Sequence, residues 1–268
     1  MLKPAGFRCT TGQNQTDPSG DRTSGPATIG AAVMSVQLEF VGHACFRLWL
    51  DGRPVIVTDP YNHETVGLPD DGRRLEADTV IVSSLTDPAH DNVGLVAGQP
   101  HEINALDVAQ GKAPATINGS PLITVAAREA PDHTEHTPMD NALYGFTLGG
   151  VTFVHMGDLG YQMTNAQLAP FQSRCDVFLV ITGEANTPSM AELDPMIDCL
   201  NPRWIVPMHY NIPPISFGMS HVGKFINHRA QDPVIQVRHH TVTLPLPTIR
   251  EGKPTIVVLE PSGYQRSG

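Results

Sequence analysis

The stretch Val36-Gln37-Leu38-Glu39-Phe40-Val41, then Ala44-Cys45-Phe46-Arg47-Leu48-Trp49-Leu50, the pair Asp51-Gly52, and Val55-Ile56-Val57-Thr58 closed by Asp59-Pro60 decides the architecture. Short runs rich in β-branched and aromatic residues read as strands, and Asp-Gly between two of them reads as a hairpin turn. The ordered part of the chain therefore begins as a β-meander. Working outward, short apolar runs recur at 79–83, 122–127, 142–148, 151–155, 177–181, 204–207, 234–237 and 255–259. Helical patterns are fewer, at 92–97, 165–171, 189–200 and 217–229. Strands in runs, with helices late in each half, imply two mixed sheets packed face to face with helices outside: an α/β four-layer αββα sandwich.

Of the 268 residues, 40% are hydrophobic and 16% charged, enough for one large core, and residues 34–268 read as a single domain. Seventeen Lys and Arg stand against 27 Asp and Glu, a net charge of −10. That balance excludes a phosphate-backbone binder, so no nucleic-acid partner is expected. No apolar run is long enough for a spanning helix, so no membrane partner is expected either. Residues 1–33 are polar and rich in turn formers, without hydrophobic period, and are expected to be a disordered extension. Nothing in them resembles a secretory signal, and Met34, just before the first strand, is the expected translation start. Cys9, Cys45, Cys175 and Cys199 are too scattered for a metal or redox pair, which suits free thiols in the cytoplasm.

Twelve histidines point toward chemistry, because neutral imidazole is the commonest metal ligand. Four places put metal-binding groups just after an expected strand, where a rigid scaffold presents reactive side chains. They are Asp87 to Asp91, the loop Asp132-His133-Thr134-Glu135-His136, His155-Met156-Gly157-Asp158, and Pro207-Met208-His209-Tyr210. There is no Gly-rich phosphate loop and no nucleophile elbow.

Taken in this order, the motifs resemble the metallo-β-lactamase fold superfamily, in particular its UPF0173-like and ascorbate-phosphate-lactonase-like metal-dependent hydrolases. The resemblance runs from about Val36 to Tyr210 and rests on Gly42-His43-Ala44-Cys45-Phe46, Asp59-Pro60, Ala77-Asp78, Gly157-Asp158 and Ile205 to Tyr210. The sequence departs where that family carries H-x-H-x-D-H. The aligned segment is Leu85-Thr86-Asp87-Pro88-Ala89-His90, so only the last histidine survives; a one-residue shift places Ser84 at the first position and restores no histidine. The next family histidine falls on Ala130, with His133 and His136 close by.

The resemblance implies His90, Asp158 and His209 as metal ligands, with Asp87 as a carboxylate replacement and His133 as a further ligand. Two histidines and a carboxylate suffice for one divalent ion, zinc or manganese, with positions open for water or substrate. The expected activity is hydrolysis of a small ester, lactone or phosphorylated metabolite. Catalysis falls to Asp158 and Asp87, and Tyr210 is a candidate donor to a developing oxyanion. His43 reads as a core residue near the pocket, His155 as structural, and Glu184 and Tyr161 as lesser candidates. The alternative is a catalytically inactive, metal-free member of the fold that binds a metabolite or a protein partner. The partner in the leading reading is a small-molecule substrate, and homo-oligomerisation is compatible with it.

Overall fold

In a computed structural model, which describes residues 34–130, 140–172, 174–215, 217–247 and 249–263, the opening meander forms with the register its alternation demands. β1 (Val36–Gly42) and β2 (Cys45–Leu50) pair antiparallel, with Leu38 opposite Leu48 and Phe40 opposite Phe46. These four side chains are buried on the inner face. Glu39 and Arg47, one residue out of phase, meet on the other face at 2.8 Å. Asp51 and Gly52 both have positive φ, as a two-residue hairpin turn requires.

β3 (Arg53–Thr58), β4 (Thr79–Val82) and β5 (His101–Asn104) complete one edge of this sheet in parallel. β14 (Thr241–Leu244) closes the other, giving the order β14-β1-β2-β3-β4-β5. The second sheet contains β8 (Ile123–Ala127), β9 (Asn141–Leu148), β10 (Val151–His155), β11 (Val177–Ile181), β12 (Trp204–Met208), β13 (Val234–Gln236) and β15 (Thr255–Val258). Its order is β13-β15-β12-β11-β10-β9-β8, parallel from β13 to β10 and antiparallel beyond. β6 (Thr116–Ile117) and β7 (Ser120–Pro121) form a separate small hairpin.

The two mixed sheets face each other across the core. Phe46 meets His155 edge-on at 6.1 Å, and Phe40 meets Tyr210 at 6.0 Å. β11 is buried along its whole length, as expected for a central parallel strand covered on both faces.

The helices are α1 (His63–Val66), α2 (Ala105–Ala109), α3 (Asn165–Leu168), α4 (Met190–Leu200) and α5 (Val222–His228). α4 starts at a Ser189/Glu192 capping box and buries Leu193, Met196, Ile197 and Leu200, the spacing of one helical face. The expected helix at 92–97 is only a 3-10 turn, Val93–Leu95, interrupted by Gly94 and without a side-chain cap. The helix expected over 217–229 is shortened to α5, which starts where His221 accepts the Gly223 N–H. β5 and β14 were not expected, because neither alternates cleanly: Ile103 is the sole buried residue of β5 and Leu244 of β14. The expected N-terminal extension, residues 1–33, lies outside the described residues. Among those described, no helix is long and apolar enough to cross a membrane.

Candidate metal centre

The strand directions bring the ends of β1, β3, β4, β8, β10 and β12 to one rim, and the site is built from the residues that follow them. Parallel strands place backbone turns at their carboxyl ends, where ligands collect in open α/β sheets. His43 follows β1, Asp59 follows β3, Ser83 follows β4, Glu129 follows β8, Asp158 follows β10 and His209 follows β12. Three of them, His43, Asp59 and His209, hold φ of 53°, 37° and 51°. A left-handed backbone at a non-glycine residue is strained and clusters at functional sites.

Asp59 is the anchor. Fully buried, it accepts hydrogen bonds from the Ser83 N–H at 2.9 Å, the Ser83 hydroxyl at 2.8 Å and the Tyr144 hydroxyl at 3.0 Å. It also faces His90 Nδ1 at 3.1 Å and His155 Nδ1 at 3.9 Å. Burial alone would raise its carboxyl pKa, but His155, His90 and the donated hydrogen bonds hold it below the usual value. With Nδ1 engaged, His90 turns Nε2 toward Asp158 Oδ1 at 3.7 Å and Asp87 Oδ2 at 3.9 Å. Burial works against a charge on His90, yet Asp158, Asp59 and Asp87 together raise its pKa to about 10.

His209 Nε2 approaches the same Asp158 oxygen at 3.3 Å. Burial, reinforced by the charge on His90, lowers the His209 pKa to about 3, so its ring is neutral. Asp158 is set in place by its own N–H, which donates to Asn141 Oδ1 at 3.0 Å. Gly157 precedes it at φ 61°, and a Cβ there would collide with Asn141 and Ser83. Asp87 folds its own loop through Oδ1, which accepts the Ala89 N–H at 2.9 Å, leaving Oδ2 for the His90 side.

Three expected site residues, His90, Asp158 and His209, thus meet, and Asp87 joins them. Leu85 is exposed, whereas Ser84 is buried with its hydroxyl 2.7 Å from that of Thr86. Tyr210 corrects an expectation: it is buried against Phe40 and its hydroxyl donates to the Leu259 carbonyl at 3.5 Å, so the backbone takes the donor meant for an oxyanion. His133 and the loop around it lie outside the described residues. Glu184 accepts from Ser220 and the Met190 N–H and pairs with Lys224. Tyr161 stacks against Arg128 instead of reaching the cluster.

His155 is held structurally: the Gly157 N–H donates to Nδ1 at 2.9 Å, so Nε2 carries the proton it donates to the Ala44 carbonyl, also at 2.9 Å. Sequence reasoning missed Asp59 and Glu129 as contributors. The Asp-Pro after β3 was visible as a strand end; its contact with His90, 31 residues away, was not. Glu129 is buried, and burial together with Asp158, Asp87 and Asp140 raises its carboxyl pKa to about 8.

The donor set fits a divalent cation. His90 Nε2 is buried without a hydrogen-bond partner, and His Nε2 atoms and a carboxylate oxygen converge at separations close to the roughly 3.3 Å between donors about 2.0–2.1 Å from one zinc. Asp59 behind His90 is the carboxylate partner that metal-bound histidines regularly have.

The Beta-lactamase superfamily domain matches residues 37–209. A UPF0173 metal-dependent hydrolase of Thermococcus kodakarensis is 26% identical over 223 residues, covering 75% of this chain and 96% of that protein. A second, from Pyrococcus abyssi, is 26% identical over 227 residues with the same coverage. The solved structure of a Thermotoga maritima protein of the metallo-beta-lactamase superfamily is similar at TM-score 0.61 and 26% identity, over 84% of this chain and 100% of that one.

Proposed function

The chain belongs to the beta-lactamase superfamily, and on that premise we propose that it is a metal-dependent hydrolase of a small ester, lactone or phosphorylated metabolite, working with a single divalent ion. The observation that carries this reading is the convergence of His90 Nε2 and His209 Nε2 on one oxygen of Asp158, at 3.7 and 3.3 Å. His90, His209 and Asp158 would hold the ion, with Asp87 beside them; zinc or manganese suits this nitrogen and oxygen set. Such an ion supplies Lewis-acid polarisation of a carbonyl or phosphoryl oxygen and an acidified water.

The chain's own residues do the rest. Asp59 fixes the ring of His90 through Nδ1 so that Nε2 faces the pocket. Asp87 Oδ2, 3.9 Å from His90 Nε2, would accept a proton. Glu129, whose carboxyl pKa is raised to about 8 in the metal-free protein by burial and then by Asp158, Asp87 and Asp140, is a further carboxyl able to hold a proton near them. Phe217, half-exposed with its ring 6.0 Å from His43, offers an apolar surface for the non-reacting part of a small substrate. The free thiols Cys45, Cys175 and Cys199 suit the reducing cytoplasm.

The test is elemental analysis of protein purified without chelators, beside Asp158→Ala. About one zinc or manganese per chain, lost in the variant together with turnover of lactone and phosphoester substrates, supports the reading. Turnover retained in Asp158→Ala overturns it. The absence of stoichiometric metal from both proteins favours instead an inactive fold member that binds a ligand, the reading to which Leu85 and Ala89 in the motif lend support.

A further inference from the structure

We propose that His43 is itself a metal ligand in this chain, making the centre a three-histidine, one-carboxylate site; this rests on the metal-dependent reading above. His43 is buried, 1% exposed, and among the described residues neither ring nitrogen has a hydrogen-bond partner. A neutral imidazole carries one donor and one acceptor, and leaving either buried and unpaired forfeits its hydration without return. Native structures pair nearly all such groups, so an orphaned ring points to an absent partner.

Burial alone does not explain the orphaned ring, because His155 is buried as deeply and uses both nitrogens. Nor does packing, since an apolar side chain would fill the same space without the penalty. The backbone supplies a second, independent observation. His43 is held at φ 53°, and its carbonyl accepts the His209 N–H at 2.7 Å, while His209 is itself held at φ 51°. Two strained turns, one from each sheet, are thus hydrogen-bonded together, and the result is that their rings meet at 4.1 Å between centroids. His90 completes the group, 5.0 Å from His43 and 5.5 Å from His209.

One ligand atom from each of the three rings lies within 4.8 Å of the others. Side-chain rotation of about 1.5 Å brings such atoms to the roughly 3.3 Å separation of donors around one zinc. A cation is the partner that satisfies three clustered imidazoles at once, since among the described residues no hydrogen-bonding group reaches the His43 ring nitrogens. Three nitrogens and one carboxylate oxygen also bias the site toward zinc or cobalt and away from manganese.

The experiment is titration of chelator-treated full-length protein with Co²⁺, followed by visible absorption and by competition with a chelator, and repeated with Zn²⁺ and Mn²⁺. The variants are His43→Asn, in which asparagine tolerates the positive φ, His43→Ala, and Asp158→Ala as reference. The wild-type chain should take up about one Co²⁺. In His43→Asn the visible bands change, affinity falls about 10-fold or more, and the preference for zinc over manganese shrinks. A His43→Asn protein that keeps wild-type bands and affinity within about twofold, while Asp158→Ala loses the metal, overturns the role of His43 and leaves the metal-dependent reading standing. A wild-type chain that takes up no cobalt, zinc or manganese overturns both. Thermal unfolding of the metal-free proteins confirms that His43→Asn is folded, and His43→Ala must agree with it in direction.

Discussion

Asp59 Oδ2 lies 3.1 Å from His90 Nδ1, both groups fully buried, so one ring nitrogen is held from behind and the other is presented to Asp158. The pairing spans 31 residues and joins the turn after β3 to the loop after β4. Asp59→Asn removes the charge that orients and polarises this ring. Metal affinity should fall about 10- to 100-fold by chelator competition. Breaking a buried charged pair should also cost about 3 kcal/mol or more in urea unfolding. An unchanged affinity would show that His90 does not depend on Asp59.

Gly157 sits where a methyl group meets Asn141 and Ser83, at a φ that L-residues avoid. Gly157→Ala should destabilise by about 2–3 kcal/mol through overpacking and strain. Because Asp158 follows directly and its N–H is bonded to Asn141, metal uptake should fall with it. The check is paired: urea unfolding and metal content on the same preparation. A variant with wild-type stability would contradict the contact.

Glu129 carries a pH dependence whose sign is fixed. Its folded pKa is raised to about 8 from the ordinary glutamate value of 4.5, by burial and then by Asp158, Asp87 and Asp140. Between those values the native state binds the proton more tightly than the unfolded chain, so stability falls as pH rises. Glu129→Gln removes that slope. Metal-free wild type and variant should therefore unfold alike near pH 4.5, and the variant should gain about 1–2 kcal/mol by pH 8 after allowance for solvent screening. Parallel unfolding curves across that range would refute the buried carboxyl.

Tyr210→Phe separates a structural hydroxyl from a catalytic one. The Tyr210 hydroxyl donates at 3.5 Å to the Leu259 carbonyl, so its loss should cost about 1 kcal/mol or less of stability. Turnover by the metal-loaded enzyme should stay within about threefold, whereas loss of an oxyanion donor costs about 100-fold or more in kcat. Steady-state rates with any substrate found active decide between them.

The residues of the opening meander made both register and inner face legible, because alternation has period two and one face must be buried. Leu38, Phe40, Phe46 and Leu48 take the positions that pattern assigns. The same pattern could not locate β5 or β14, whose few buried positions acquire meaning only beside a neighbouring strand. The helix ends at 217–229 were hidden for a related reason: a local capping contact at His221, not hydrophobic period, sets the start of α5.

For the site, the sequence by itself determined the strand-end positions of His90, Asp158 and His209, since each follows a run whose termination is local chemistry. It also determined that Leu85 and Ala89 have no metal-binding atom. Only the tertiary structure decided that Asp59 stands behind His90, that Glu129 is buried where Asp158 and Asp87 act on it, that the Tyr210 hydroxyl is spent on backbone, and that the rings of His43 and His209 meet. Those relationships join segments from different strands and from both sheets. A sequence read in one dimension carries periodicity and local turns; burial, orphaned nitrogens and the field of neighbouring charges exist only once the two sheets have closed on each other.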